Sequence, residues 1–212
     1  AEPELTPVVQ AIRADAGVLA RIDTLRLRFL SCPQALLHGD LHTGSIMTTD
    51  DDTRVIDGEF ATYGPIGFDA GLFVGNLILS LFSTRDAAAQ SQQTRMIKLF
   101  WASFTEQFLA LWATENASKD QATFYYSATQ AIQSEKEKNL FIENIFQDMI
   151  GYCGAEIIRR IIGYAHVSDF SALPDIPTQA ARKKAALLFA KDCLDQTHLF
   201  RNCDDFRSHL AH

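Results

Sequence analysis

The chain has 212 residues, 47% of them hydrophobic, which suits one domain with a real core. Its 26 acidic residues outnumber 19 basic ones for a net charge of −7, and a pI near 5.3 excludes the basic surface that non-specific nucleic-acid or anionic-membrane binding requires. The longest apolar stretch, Gly71 to Phe82, is broken by Asn76 and falls short of the roughly 18 residues of a membrane span.

The acidic start, Ala1-Glu2-Pro3-Glu4, lacks the basic-then-apolar order of a signal peptide. Without an initiator Met, the sequence reads as a fragment. Cys32, Cys153, Cys193 and Cys203 are widely spaced with no CxxC pair, so reduced thiols in the cytoplasm are expected rather than a disulfide framework.

Taken in order, Leu5, Val8, Val9 and Ile12, then Leu19, Ile22, Leu25, Leu27 and Phe29, predict two helices hinged near Gly17. Ala35-Leu36-Leu37 is a short apolar run followed by a turn at Gly39. Ile46–Thr48 and Arg54–Ile56 flank an aspartate-rich segment, Thr49 to Thr53, and predict a small β-hairpin. Asp69 can cap a helix reaching about Leu81. From Ala87 to about Ala113, Ile97, Phe100, Trp101, Phe104, Phe108, Leu111 and Trp112 recur at helical intervals, and these aromatics read as core packing. Further helices are expected around Thr123–Ser134, from about Asn139 to Ala165, and from Thr178 to about Thr197 after Pro177. The fold class is mainly α with one small hairpin, and the chain contains no repeat.

The polar residues cluster around that hairpin. His38-Gly39-Asp40-Leu41-His42-Thr43-Gly44-Ser45 precedes it and Asp57-Gly58-Glu59-Phe60 follows. A hairpin brings its ends together, so Asp40 and Ser45 can meet Asp57 and Glu59. The last two are two apart, so an extended segment would point both carboxylates the same way. Clustered carboxylates repel unless a cation lies between them, and a hard divalent ion alongside phosphate is the natural filler. Phosphoryl transfer needs this inventory: metal to neutralise phosphates, and one aspartate to accept the proton of the substrate hydroxyl. Asp40, alone on the Gly39 turn, suits the second task, and Asp57 with Glu59 the first. His38 and His42 suit structural hydrogen bonding, and Asp69 suits bracing the loop. Gly39-Asp40-Leu41-His42 also echoes metallophosphoesterase loops, but His166, His198, His209 and His212 lack the spacing that class needs.

His38-Gly39-Asp40-Leu41-x-x-x-Ser45 resembles the catalytic loop of the aminoglycoside-phosphotransferase and choline-kinase-like branch of the protein-kinase fold. The longer string to Ile46, with Val55-Ile56-Asp57-x-Glu59-Phe60-Ala61-x-Tyr63-Gly64-Pro65 and Gly67-Phe68-Asp69, is similar to the methylthioribose kinase family within that branch. The resemblance implies a kinase-like C-terminal lobe using ATP and Mg2+ on a small sugar, with Asp40 as base on its 1-hydroxyl. It implies Asp57, Glu59 and Ser45 as magnesium ligands, Asp57, Gly58 and Glu59 beside the nucleotide phosphates, and His38 and Asp69 as supports. It also implies a homodimer. Ser45 stands where the wider branch has Asn, as in the methylthioribose kinases. Gly58 departs from that family's Pro and leaves the turn less rigid.

A second constellation lies far downstream. In Glu156-Ile157-Ile158-Arg159-Arg160-Ile161-Ile162-Gly163, helical spacing puts the isoleucines on a buried face and Glu156, Arg159 and Arg160 opposite. By spacing alone this is a solvated face with a Glu156–Arg160 pair. By resemblance to the same family, Arg159 and then Arg160 contact the sugar, as a planar fork can do with vicinal hydroxyls.

Residues 1–37 hold no lysine and one glycine, Gly17, and no GxGxxG occurs anywhere in the sequence. The glycine-rich loop and strand lysine of a kinase N-terminal lobe are therefore expected to be absent, leaving residues 1–212 as the C-terminal lobe, with weak ATP binding and negligible turnover on its own. The alternatives are a related kinase for an aminoglycoside, choline or homoserine, or a non-catalytic kinase-like fragment.

Overall fold

The computed structural model describes residues 2–117, 134–163 and 169–205. The first two helices, α1 (Thr6–Ala14) and α2 (Ala16–Ser31), are joined at Asp15, two residues before the expected Gly17. Asp15 is extended, and its Oδ1 accepts the N–H groups of Gly17 and Val18 at 3.0 and 3.1 Å, capping α2. Gly17 has a different reason to be glycine, because a Cβ there would overlap the Asp195 carboxylate.

Four short strands follow: β1 (Ala35–Leu37), β2 (Ile46–Thr48), β3 (Thr53–Val55) and β4 (Thr62–Gly64). The expected hairpin is β2–β3, antiparallel, with Ile46 opposite Val55 and Thr48 opposite Thr53. Its turn is closed by Thr49, whose N–H donates to the Asp52 carbonyl at 2.8 Å. A second pairing, β1 with β4, was not anticipated; Ala35 lies opposite Gly64 and Leu37 opposite Thr62. It clamps the two ends of the loop-and-hairpin segment together, so residues 38–61 form one projecting unit.

Four longer helices carry that unit. They are α3 (Gly67–Ser83), α4 (Ala87–Ala117), α5 (Glu135–Ile162) and α6 (Ile176–Asp195). α3 starts two residues before the expected Asp69, and its N-cap residue, Ile66, makes no side-chain cap. Asp69 sits inside the first turn and turns to the loop instead of capping. Ser134 caps α5 through the N–H of Glu137, and Asp175 caps α6 through the N–H of Thr178 at 2.7 Å. Of the helix expected at Thr123–Ser134, residues 123–133 lie outside the described residues, as do residues 164 and 165 at the expected end of α5.

Two central helices, α3 and α5, approach closely because three glycines of one face three residues of the other at the same interval of four. A Cβ on Gly67 would come within 2.6 Å of the Asp148 Cβ, one on Gly71 within 2.6 Å of the Tyr152 Cβ, and one on Gly75 within 3.2 Å of the Glu156 Cβ. That is the row of residues four apart by which helices most often interlock. Leu77, Ile78, Met149, Ile150, Ile157, Leu187 and Ala190 fill the core between α3, α5 and α6. All four cysteines are free thiols. Among the described residues no helix is long and apolar enough to cross a membrane.

Candidate functional site

The site begins at Gly39, whose φ of +87° lies in the region that favours glycine. A Cβ there would also overlap the Phe60 carbonyl, so the chain before the hairpin runs against the chain after it. Both sides of the loop are then tied down. The backbone N–H of His38 donates to Asp69 Oδ2 at 2.6 Å and that of Gly39 donates to Asp69 Oδ1 at 3.1 Å. Asp69 is only 8% exposed, and burial raises its carboxyl above the ordinary aspartate value although these N–H groups pull the other way.

The His38 ring links the two sides. Its Nε2 lies 2.8 Å from the Ile56 carbonyl, which can only accept, and its Nδ1 is met by the Asp40 N–H at 3.4 Å. Nε2 therefore carries the proton, and the ring is a fixed strut between Asp40 and the residue before Asp57. His38 and Asp69, both expected as supports, thus each contact the loop backbone. Further along, Ser45 Oγ accepts the His42 N–H at 3.0 Å and donates to the His42 carbonyl at 2.8 Å. Ser45 is buried, and its hydroxyl proton is committed to shaping the turn.

Asp57 and Glu59 differ from expectation in one respect. The segment is not extended: Asp57 is left-handed, φ 68° and ψ 42°, and Gly58–Phe60 forms a 3-10 turn. Asp57 is the one non-glycine residue with positive φ among the described residues, and such strain in an aspartate marks a position the surroundings impose. Both side chains are exposed. Among the described residues no three His, Cys, Asp or Glu side chains gather into a metal cage. Magnesium is ordinarily held by one or two carboxylates plus phosphate oxygens rather than by an all-protein cage, so two exposed hard oxygen donors beside the loop fit that group.

The third side comes from α5, 119 residues beyond the loop. Arg159 Nη2 approaches Asp40 Oδ1 at 3.4 Å and Arg160 Nη2 approaches it at 3.8 Å. His42 Nε2 lies 3.8 Å from Asp40 Oδ2. Glu156 is where the helical-wheel reading fails. Instead of a solvated face it is 2% exposed, and it takes three donors: Arg159 Nε at 2.7 Å, Arg159 Nη2 at 3.0 Å and Arg160 Nε at 2.7 Å. The bonding of Arg159 to Glu156 is the leading reason its guanidinium is held above the ordinary value.

Between loop and helix lies a cavity of about 400 Å³. Asp40, Glu156 and Arg159 form its polar end, and Phe60, Phe68, Leu72 and Tyr152 its apolar wall. The Tyr152 hydroxyl donates to the Leu25 carbonyl at 2.8 Å, so its ring is fixed against Phe68, with centroids 5.1 Å apart. Of the residues singled out in the sequence, Asp40, Arg159 and Arg160 come together in space. Sequence reading missed Glu156 and this wall, because Phe68, Leu72 and Tyr152 are indistinguishable by pattern from ordinary core residues.

A family model described as the phosphotransferase enzyme family matches residues 2–112. The methylthioribose kinase of Yersinia enterocolitica is 38% identical over 211 residues, spanning 96% of this chain and 50% of that protein. Methylthioribose kinase 1 of Oryza sativa subsp. japonica is 37% identical over 218 residues, spanning 98% and 50%. The methylthioribose kinase of Yersinia pseudotuberculosis serotype IB is 40% identical over 193 residues, spanning 88% and 45%. The chain thus spans about half the length of the curated relatives it matches.

Proposed function

The chain belongs to the phosphotransferase enzyme family, and within it we propose that these residues form the catalytic-loop half of a methylthioribose kinase, transferring the γ-phosphoryl group of ATP to the 1-hydroxyl of 5-methylthioribose in methionine salvage. The observation that carries this reading is the convergence of Arg159 and Arg160 on Asp40 at 3.4 and 3.8 Å. The loop and the helix that carries the arginine pair, two segments far apart in sequence, meet at one cavity lined by Asp40 and Arg159 and by apolar side chains. A ribose carrying a thioether has the matching division, hydroxyls at one end and an apolar substituent at the other.

In this reading Asp40 accepts the proton of the 1-hydroxyl while Arg159 and Arg160 bind and orient the neighbouring hydroxyls. The walls formed by Phe68 and Tyr152 exclude water. Asp57 and Glu59, with Gly58 between them, would hold magnesium and face the nucleotide phosphates, and Ser45 keeps the turn in shape beside them. When bound, the ion supplies charge neutralisation to the phosphates. The four free thiols and the net charge of −7 support a cytoplasmic protein acting on a small sugar rather than on nucleic acid or membrane. Since residues 1–37 contain no lysine, residues 1–212 alone are expected to bind ATP weakly and turn over negligibly.

The full-length gene product, incubated with ATP, Mg2+ and a panel of methylthioribose, an aminoglycoside, choline and homoserine, tests this directly. Methylthioribose should be preferred by about 100-fold or more in kcat/KM, because choline and homoserine lack the vicinal hydroxyls such a site bonds and an aminoglycoside brings ammonium groups against the arginines. Preference for another panel member, or no phosphotransfer at all, would overturn the assignment.

A further inference from the structure

Asp40 has two arginines within reach, yet neither closes on it. Charge-assisted N–H···O bonds settle at about 2.7–2.9 Å, whereas the guanidiniums stand 3.4 and 3.8 Å from Asp40. Their short bonds, 2.7, 2.7 and 3.0 Å, go to Glu156 instead. An unopposed aspartate beside two arginines would draw them in, and a carboxylate so paired could not accept a proton from a substrate hydroxyl.

Resting on the phosphotransfer reading above, we infer that Glu156 is a positioning residue that holds Arg159 and Arg160 back from Asp40, keeping Arg159 at the cavity wall and Asp40 free to act as base. Three features support this. Glu156 is buried, its side chain only 1% exposed, so water does not compete for its oxygens. Guanidinium groups only donate, and three of their N–H groups occupy most of the roughly four acceptor sites of the carboxylate. Its backbone is fixed from behind by Gly75, where even a methyl group would crowd the Glu156 Cβ and Cγ at 3.2 Å. One carboxylate against two guanidiniums leaves one positive charge over, which Asp40 balances at a distance. A neutral residue at 156 would leave two positive charges with Asp40 as the nearest acceptor.

The test uses the full-length gene product with Glu156→Gln, similar in shape but uncharged. The expected result is a folded protein whose sugar KM rises about tenfold or more and whose kcat falls, since small misplacements of binding groups carry penalties of that order, while the KM for ATP is unchanged. Equal rises in both KM values, or sugar kinetics matching wild type, would overturn the inference. Because two adjacent arginines without their carboxylate partner could unfold the protein, Glu156→Gln/Arg160→Gln removes one charge of each sign. It should still show a sugar KM about tenfold above Arg160→Gln alone, and equality of the two would likewise overturn it. A readout independent of turnover is the NMR signal of the Arg159 and Arg160 Nε–H groups, expected to be protected from exchange in wild type and unprotected in Glu156→Gln. Protection retained in the variant would count against the role. If wild type prefers another compound in the panel, the substrate assignment falls and the same ratios are taken with that compound, so the two claims fail separately.

Discussion

Asp69 in the first turn of α3 accepts the backbone N–H of His38 at 2.6 Å, so the geometry of the loop around Asp40 is held from a helix that begins 29 residues later in the chain. Asp69→Asn keeps the shape but turns an NH2 group toward a backbone N–H donor of the loop. The loss should be about 1–3 kcal/mol of stability, read as a drop in thermal unfolding temperature.

The same residue carries a pH signature. Burial raises the carboxyls of Asp69 and Asp148 above the ordinary value of 3.8 in the folded chain. Between 3.8 and those raised values the folded chain holds protons that the unfolded chain has released. Their contribution to stability is complete below pH 3.8 and is lost as pH rises through the folded pKa. Asp15 and Asp175, held below 3.8 by hydrogen bonds from Lys191 and from Thr178, act in the opposite sense and lose their contribution as pH falls. Unfolding curves collected across mildly acidic pH should therefore show a shallower decline with rising pH for Asp69→Asn than for wild type.

The two glycines flanking the site should behave oppositely. Gly39→Ala must adopt positive φ and collide with the Phe60 carbonyl, at a cost of about 1–3 kcal/mol from backbone strain alone. A Cβ on Gly58 meets nothing within 4 Å and its φ is not positive, so Gly58→Ala should be neutral or stabilise by up to about 1 kcal/mol through the unfolded state. Chemical denaturation of the two variants side by side decides this.

Removing the proposed base should abolish turnover without abolishing nucleotide binding. Asp40→Asn in the full-length product is expected to lose about 100- to 10,000-fold in kcat, with ATP–magnesium binding measured by calorimetry unchanged. Activity within a few-fold of wild type would remove Asp40 from that role.

Thiol labelling of the native protein checks the packing. Cys153 and Cys193 are fully buried, and burial pushes Cys193 well up and Cys203 up to about 12. Cys32 is half-buried. Iodoacetamide at neutral pH should modify Cys32 first, with the other three reacting only after denaturant is added.

The loop from His38 to Ser45 and the pair Asp57 and Glu59 were legible in sequence because their chemistry depends on residue type and on a hairpin whose turn residues announce it. The conformation of Asp57 was not, since positive φ in an aspartate follows from contacts on both sides, such as His38 with Ile56 and Gly39 with Phe60. Glu156 was misread for a different reason. A helical wheel assumes one buried face, but α5 is covered by α3 along Asp148, Tyr152 and Glu156, and by α6 where Gly154 meets Ala190 and Cys193. A polar residue on the second covered face looks like a solvated one until its neighbour is known.

The matched rows of Gly67, Gly71 and Gly75 against Asp148, Tyr152 and Glu156 tie the site to residue count as much as to residue identity. Asp69 hangs from the first row, and Arg159 and Arg160 from the end of the second. One residue inserted between Gly67 and Gly75, or between Asp148 and Glu156, would rotate everything beyond it by about 100° and aim the arginines away from Asp40. Insertions at residues 84–86, between α3 and α4, leave that count intact. Length variation should therefore be excluded from these two nine-residue windows and free to accumulate at the joint beyond Ser83.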